Sequence, residues 1–341
     1  MELTGHKIET RSNKSESTEH KLSSNLEAEK IEFKPKFIER YEKLTDFETF
    51  KKYSLSFLRR SIRVNTLKIS VEELKRRLED TWQLDPIPWC KEAFWIDHKG
   101  KGDDYRRDVG NLPEHALGYI YIQEAASLIP PLVMLGKDKL IDHEIILDMC
   151  ASPGSKTTQI AQYMNSTGIL LANDYKGDRI SSLGINLQRC GMTNHVITLM
   201  SGRYFKDFQF DRILVDAPCS GTGTIRKSLK TLRIWNPNAI KRLATQQKQL
   251  LETAFNNLKP NGILIYSTCS VEPEEDEAVV SYLLNKYPTA SLEEINLPIK
   301  RSKPITSFEG IEYNEQVKHC LRIWPQDNDT EGFFVARIRK K

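Results

Sequence analysis

At 341 residues, with 39% hydrophobic and 28% charged residues and a net charge of +4, the chain has the balance of a soluble globular protein with room for one large core and a smaller domain. No apolar run approaches the about 18 residues of a membrane-spanning helix, and Met1 to Lys30 contains no apolar segment for secretion, so a cytoplasmic location without membrane contact is expected. The 6 cysteines include no C-x-x-C pair, which argues against a zinc knuckle or a thioredoxin-type motif and leaves free thiols as the expectation.

Residues 1–30 are rich in Ser, Glu, Lys, Asn and Thr and carry too little apolar surface to offset the entropy of ordering; a disordered tail is expected. From Ile31 onward, Phe33, Phe37, Tyr41, Phe47 and Phe50 fall at helix-compatible spacings and predict a helical leader into a small domain. Leu58 to Lys68 reads as a strand with a basic rim, Val71, Leu74 and Leu78 set a short helix with Lys75, Arg76 and Arg77 outside, and Phe94-Trp95-Ile96 reads as another strand. Basic side chains interleaved with Phe57, Trp89, Trp95 and Tyr105 suit a surface that tracks phosphates and stacks on bases; the plainer alternative is a solvated charged face. Leu117 to Leu135 begins strand-like and becomes an apolar helix stopped near Pro130-Pro131. The expected division is therefore an N-terminal α+β domain over residues 31–116 and a larger domain over 117–341.

After Ile145 the rhythm alternates between strand and helix: Ile145-Ile146-Leu147, Ile169 to Ala172, Val196 to Leu199 and Ile213-Leu214-Val215 are short apolar runs with helical stretches between most of them. A long helix follows, carrying Ile240, Leu243, Ala244, Leu250, Leu251, Ala254, Phe255 and Leu258 on one face until Lys259-Pro260-Asn261-Gly262 breaks it before the strand Ile263 to Tyr266. That alternation predicts an α/β, doubly wound, mostly parallel sheet. The last apolar strand, Gly332 to Ile338, arrives without a crossover helix and is expected to pair antiparallel.

In such a sheet, ligands bind at the carboxyl ends of the strands, and there the chain places its chemistry. The first strand ends in Asp148-Met149-Cys150-Ala151-Ser152-Pro153-Gly154-Ser155-Lys156, a small-residue turn that brings backbone amides and a helix start close to a cofactor. A Gly-x-Gly-x-x-Gly fingerprint and P-loop spacing are both absent, which disfavours nicotinamide dinucleotides and phosphate cradling. The second strand ends in Asp174, where a carboxylate can hold a ribose diol. Together these features suit S-adenosylmethionine. Two further strands deliver Asp216-Ala217-Pro218-Cys219 and Ser267-Thr268-Cys269, an acid and two thiols at one edge. Carbon 5 of a cytosine explains that set: a thiolate adds to carbon 6, an acid stabilises charge on the ring, and a second group assists release. Spacing leaves open which thiol attacks, since DNA cytosine methyltransferases use a Pro-Cys thiol like Cys219. The loop Asp216-Ala217-Pro218-Cys219 also lacks the second proline and aromatic typical of amino-methyltransferases.

Cys150 to Thr158, Asp174, Asp216 to Gly221, Ser267 to Ser270 and Gly332-Phe333-Phe334 resemble the Nol/Nop/Sun family of RNA cytosine carbon-5 methyltransferases, from about Arg59 onward. Archaeal-type members, some similar to transfer-RNA methyltransferases, are similar in length and in ending at Ile338 to Lys341. The resemblance implies a seven-stranded Rossmann-like methyltransferase sheet with an N-terminal RNA-binding domain, acting as a monomer on RNA, transfer RNA before ribosomal RNA, with no metal. It implies Cys269 as nucleophile, Cys219 in product release, Asp216 as reader of the base, and Lys156 against the cofactor's methionine part or the base. For the cofactor it implies Cys150, Ala151, Ser152, Pro153, Gly154, Ser155, Lys156, Asp174, Asp216 and the basic Arg179, with Ser201 standing where many relatives place an adenine-contacting Asp. A non-catalytic RNA-binding or assembly factor on the same fold is the competing expectation.

Overall fold

The computed structural model describes residues 31–101, 108–136 and 143–341; the tail expected over residues 1–30 and the stacking candidate Tyr105 lie outside them. Two helices come first, α1 (Pro35–Glu42) and α2 (Phe47–Ser54). Their aromatics do not belong to the small domain. Phe33, Phe37, Tyr41, Phe47 and Phe50 form one core with Ile225, Leu232, Trp235, Ile240, Val271 and Trp324, all from the C-terminal part of the chain. An aromatic surface this wide needs an apolar partner, and the small domain's own core is already closed around its sheet.

That sheet contains β1 (Ser61–Val64), β2 (Trp82–Ile87), β3 (Cys90–His98) and β4 (Ile120–Ile122), with α3 (Val71–Leu78) and the short α4 (Pro113–Ala116) between them. Its order is β2-β3-β1-β4 and its pairings are antiparallel. Ile62 stands opposite Ile122, and Ile120 is buried in this domain's core, so the boundary expected at Leu117 falls inside the small domain. Pro130 and Pro131 open the next helix, α5 (Ile129–Leu135), instead of stopping it. In a first helical turn the missing N–H of proline had no helical partner to lose.

The large domain runs β5 (Ile145–Asp148), α6 (Ser155–Met164), β6 (Ile169–Asp174), α7 (Gly177–Cys190), β7 (His195–Leu199), β8 (Phe210–Asp216), α8 (Lys230–Ile234), α9 (Pro237–Asn256), β9 (Leu258–Thr268), α10 (Glu277–Lys286), β10 (Ala290–Glu293), the small pair β11 (Ser307–Phe308) and β12 (Ile311–Glu312), β13 (Leu321–Ile323), α11 (Pro325–Asn328) and β14 (Phe333–Lys340). Leu258, expected on the long helix, already belongs to β9. The sheet order is β10-β14-β9-β8-β5-β6-β7, with β13 also on β14. Strands β7, β6, β5, β8 and β9 are parallel, and β14 pairs antiparallel with β9 as expected. The outer flank of β14 is shared: β10 pairs with residues 337–340 and β13 with 333–335, so the strand position expected at that edge is filled by two short strands. Side chains alternate between two cores across the sheet, Ile263 and Ile265 on one face and Leu264 and Tyr266 on the other. Cys90, Cys190 and Cys320 are buried among apolar neighbours.

Two residues expected on an RNA-facing surface turn out to be structural. Trp89 is buried and donates its indole N–H to the Ala125 carbonyl at 3.0 Å. Arg63, read as part of the basic rim of β1, is fully buried. Its guanidinium donates to Gln123 Oε1 at 2.6 Å, to the Ser155 carbonyl at 3.0 Å and to Thr158 Oγ1 at 2.9 Å. The small domain thereby holds the first turn of α6, the helix that follows the small-residue turn. Arg63→Ala is expected to lower stability by roughly 2–4 kcal/mol in urea unfolding, because several buried acceptors lose a charged donor. The salt dependence of RNA binding is expected to stay unchanged, because a buried guanidinium neutralises no phosphate; a shallower salt slope would return Arg63 to the surface role.

Candidate active site

Strands β8 and β9 are paired neighbours with Asp216 opposite Ser267, so the loops that follow them leave the same sheet edge side by side. That adjacency brings the Cys219 and Cys269 sulfurs to 3.1 Å, and both thiols are free. The hydrogen bond with Cys269, and then burial, raise the Cys219 thiol well above its ordinary range. Either sulfur can be the donor of this contact.

Asp216 accepts from Lys156 Nζ at 2.7 Å on one oxygen and from Ser267 Oγ at 2.8 Å on the other. Burial pulls the Lys156 ammonium down, but Asp216 and then Cys269 outweigh it and raise the group above its ordinary value. Lys156 therefore carries a positive charge paired with the Asp216 carboxylate, in the same cavity as Cys269. Asp148, at the end of β5, accepts from Thr157 Oγ1 at 2.7 Å, and burial pushes its carboxyl up to about 7.

The two cysteine loops are braced from below by a residue with no obvious sequence signal, Glu275. It is fully buried and accepts from the Ser220 amide at 2.9 Å, the Ser220 hydroxyl, Ser270 Oγ at 2.7 Å and Gln247 Nε2 at 3.0 Å. Gln247 also donates to the Pro218 carbonyl at 2.9 Å. The Cys269 loop is fixed on its other side by Gly223, whose N–H donates to the Cys269 carbonyl at 3.0 Å. A Cβ on Gly223 would stand 2.3 Å from the Gly332 carbonyl oxygen, so this approach requires glycine.

A cavity of about 360 Å³ opens between the domains at this edge. Its lining joins Cys150, Ala151, Ser152, Pro153, Ser155 and Lys156 to Asp216 and Cys269, and adds Gln123, Glu124, Lys227, Glu331 and Phe333. Gly154, at φ 107°, turns the chain into α6 without a side-chain cap, leaving that helix's first amides available to a ligand. Asp174, Arg179 and Ser201 are not in the cavity lining among the described residues. Asp174 accepts from the Ser152 amide at 3.2 Å and pairs with Arg179 at 3.4 Å, and Ser152 Oγ donates to the Arg179 carbonyl at 2.7 Å, so the two brace the turn. Ser201 accepts from Arg203 Nε at 3.5 Å. Sequence reasoning missed Glu124, Glu275 and Glu331. Only Glu331, directly before the Gly332-Phe333-Phe334 stretch, carried a hint of its place.

Residues 138–339 match the family described as 16S rRNA methyltransferase RsmB/F, and residues 33–125 match the N-terminal domain of 16S rRNA methyltransferase RsmF. The chain belongs to the RsmB/F family of RNA methyltransferases. It is similar to the tRNA (cytosine(49)-C(5))-methyltransferase of Pyrococcus abyssi, with 47% identity over 317 residues covering 91% of this chain and 98% of that one. It is 44% identical over 288 residues to ribosomal RNA small subunit methyltransferase F of Vibrio atlanticus, covering 83% of this chain but 58% of the length of that relative. The solved structure of a methyltransferase homolog protein from Pyrococcus horikoshii superposes with a TM-score of 0.76 at 34% identity, covering 90% of this chain and 100% of that one. RsmB/F membership accounts for the expected fold. No helix among the described residues is long and apolar enough to cross a membrane.

The Glu275 brace gives a direct test. Glu275→Ala removes the acceptor for every donor named above and is expected to cost at least about tenfold in turnover together with roughly 2–4 kcal/mol of stability. Glu275→Gln can place its amide nitrogen toward the Ser220 and Ser270 hydroxyls, which rotate to accept, and is expected to retain most of both. Single-turnover methylation and urea unfolding of the two variants check this; equal damage from both would mean that the negative charge, not the acceptor pair, matters.

Proposed function

We propose that this RsmB/F protein methylates carbon 5 of a cytosine in RNA, transfer RNA in the first place, with S-adenosylmethionine as donor and through a covalent adduct on Cys269. The observation that carries the reading is the contact of two thiols 3.1 Å apart beside an ammonium–carboxylate pair 2.7 Å long. Neither amino methylation nor a pure binding role requires that set.

The residues present fit the donor. The small side chains from Cys150 to Ser155 and the uncapped start of α6 would hold its methionine part, with Asp174 and Arg179 setting the shape of the turn. When bound, S-adenosylmethionine supplies an electrophilic methyl group. Everything else falls to this chain's own groups. Cys269 attacks carbon 6 of the base: the sulfur–carbon bond forms as the double-bond pair moves toward carbon 5 and ring nitrogen 3. Asp216, held by Lys156 and Ser267, accepts from the exocyclic amine and orients the ring. Carbon 5, now nucleophilic, takes the methyl group. Water entering the cavity takes the carbon-5 proton, the double bond reforms and Cys269 leaves as thiolate, with the Cys219 thiol beside it to assist its departure.

Transfer RNA is favoured because the Pyrococcus abyssi relative, 47% identical and similar over nearly its whole length, is a transfer-RNA enzyme. Bisulfite sequencing of total RNA with and without the gene is expected to lose a cytosine signal in transfer RNA. A loss confined to ribosomal RNA would favour that substrate, and no loss in either would overturn the reading. In purified protein, Cys269→Ala is expected to abolish transfer, whereas Cys219→Ala is expected to accumulate a protein–RNA species that survives a denaturing gel. Full activity of Cys269→Ala would refute the assignment of the nucleophile.

A further inference from the structure

Between Asp216 and Glu252 the chain carries Arg226, Lys227, Lys230, Arg233, Lys241, Arg242 and Lys248 and no acid, although the whole chain nearly balances 50 Lys and Arg against 46 Asp and Glu. The run begins in the Cys219 loop, so its first cations stand at the active site. Two of the group are spent internally. Arg226 is buried, donates to the Phe57 carbonyl at 2.6 Å and pairs with Asp329 at 2.8 Å, and the Lys248 ammonium lies 5.3 Å from the centre of the Tyr282 ring. Lys227, Lys230, Arg233, Lys241 and Arg242 are exposed, and none of them forms an ion pair among the described residues.

Helical turns line up the first three. Lys227 N donates to the Thr224 carbonyl, Thr231 N to the Ser228 carbonyl and Leu232 N to the Leu229 carbonyl, and α8 starts at Lys230. Ile225, Arg226, Thr231 and Leu232 are buried beneath, so Lys227, Lys230 and Arg233, three residues apart, share the outer side. Lys227 lines the active-site cavity with Asp216 and Cys269, and the row leads away from that rim. Glu331 on the cavity wall feels the Lys227 charge, without an ion pair between them among the described residues. At the far end the Lys34 ammonium donates to the Arg233 and Trp235 carbonyls, and Trp235 shares a hollow of about 510 Å³ with Lys36 and Lys241. The acids of that hollow, Glu39 and Glu309, are already paired with Lys43 and Arg40.

The basic groups expected on the small domain offer no such row. Arg76 pairs with Glu73, Arg77 pairs with Glu114 at 3.3 Å, and the Lys75 ammonium lies 5.1 Å from the centre of the Phe94 ring. The acid-free stretch from Thr49 to Val71 turns most of its charge inward. Arg63 is buried, Arg59 lies 4.0 Å from the centre of the Trp95 ring and pairs with Asp85, and Lys68 donates to the Leu117 and Arg189 carbonyls.

Resting on the cytosine reading above, we propose that Lys227, Lys230 and Arg233 form the track for the RNA strand beside the target cytosine, each neutralising a phosphate, with Lys36 and Lys241 continuing it. A base that enters the cavity brings its own phosphates to the rim, where Lys227 meets the first of them. Ammonium and guanidinium groups take phosphates without reading the base, so the track supplies affinity and register and leaves sequence choice to other contacts. Counterions released from the strand make such binding weaken as salt rises.

The test compares wild type with two triple variants that remove equal charge: Lys227→Gln with Lys230→Gln and Arg233→Gln on the track, and Lys75→Gln with Arg76→Gln and Arg77→Gln on α3. Total RNA from cells lacking the gene is the ligand, in filter binding from about 50 to 300 mM KCl and in methylation kinetics. All six side chains are exposed, so both variants are expected to fold. The track variant is expected to bind RNA at least about tenfold more weakly, with a slope of log affinity on log salt shallower by about 2. Its KM for RNA rises, while kcat and the KM for the methyl donor stay within about twofold of wild type. The α3 variant is expected to keep the wild-type slope. An unchanged slope in the track variant, a loss at α3 as large as on the track, or a fall in kcat with unchanged RNA affinity would each overturn the proposal. If wild type forms no 5-methylcytosine, the cytosine reading fails and the binding slopes still decide the track; if wild type methylates and the track variant binds as it does, this inference fails alone.

Discussion

The buried acidic turn from Glu272 to Glu277 is the interaction on which the rest of the structure depends. Glu272, Glu275, Asp276 and Glu277 are all fully buried, and each is held by a different set of partners. Glu272 accepts from Tyr41, Trp235 and Arg40, which docks α1 on the large domain. Glu275 braces the two cysteine loops. Asp276 joins Thr268 at the end of β9 to Arg322 on β13, and Glu277 takes the same guanidinium at 2.8 Å. Taking this many carboxylates out of water is costly, and removing one partner leaves a charge unmatched, so such a cluster fixes geometry more than it adds stability. The geometry it fixes is that of Cys269, which stands three residues before Glu272.

Seen from that turn, the site is two loops pinned at their bases with the thiols meeting above. The division of labour proposed above gives attack to Cys269 and departure to Cys219. Both thiols are half-buried; contact with Cys269 and then burial raise the Cys219 thiol, and Asp216 and then Cys269 raise the Lys156 ammonium against the lowering effect of burial. Attack on a pyrimidine requires a thiolate, and in the reading proposed above that role falls to Cys269. Spacing alone gives the two thiols equal standing, and the family resemblance is what proposes Cys269 for attack.

Much of this was legible before the structure. The five parallel strands and antiparallel β14 follow from short apolar runs and the missing crossover, and the strand-end positions of Cys150 to Lys156, Asp216, Cys219 and Cys269 follow from where those runs stop. The acidic turn was not legible, because acids crowded into one short segment default to solvent, and the partners that make their burial tolerable, Arg40 and Arg322 with Tyr41, Ser220, Trp235 and Gln247, are mostly distant in sequence. Arg63 was misplaced for the same reason: periodicity tells which face is apolar, not whether another domain covers the polar one. The aromatics of α1 and α2 revealed that something must cover them but not that α8, α9 and the segment around Val271 would do it. Pro130-Pro131 was read as a stop because a proline pair marks a helix boundary without saying which end.

The central claim, that attack belongs to Cys269 and the neighbouring thiol serves departure, is tested most directly by locating the adduct. RNA carrying 5-fluorocytidine blocks elimination, because fluorine at carbon 5 cannot leave as the proton does, and wild-type protein is then trapped on its substrate. After proteolysis and nuclease digestion, mass spectrometry is expected to find the nucleotide on the peptide that contains Cys269 and none on the peptide that contains Cys219. A nucleotide carried by Cys219 would contradict the assignment.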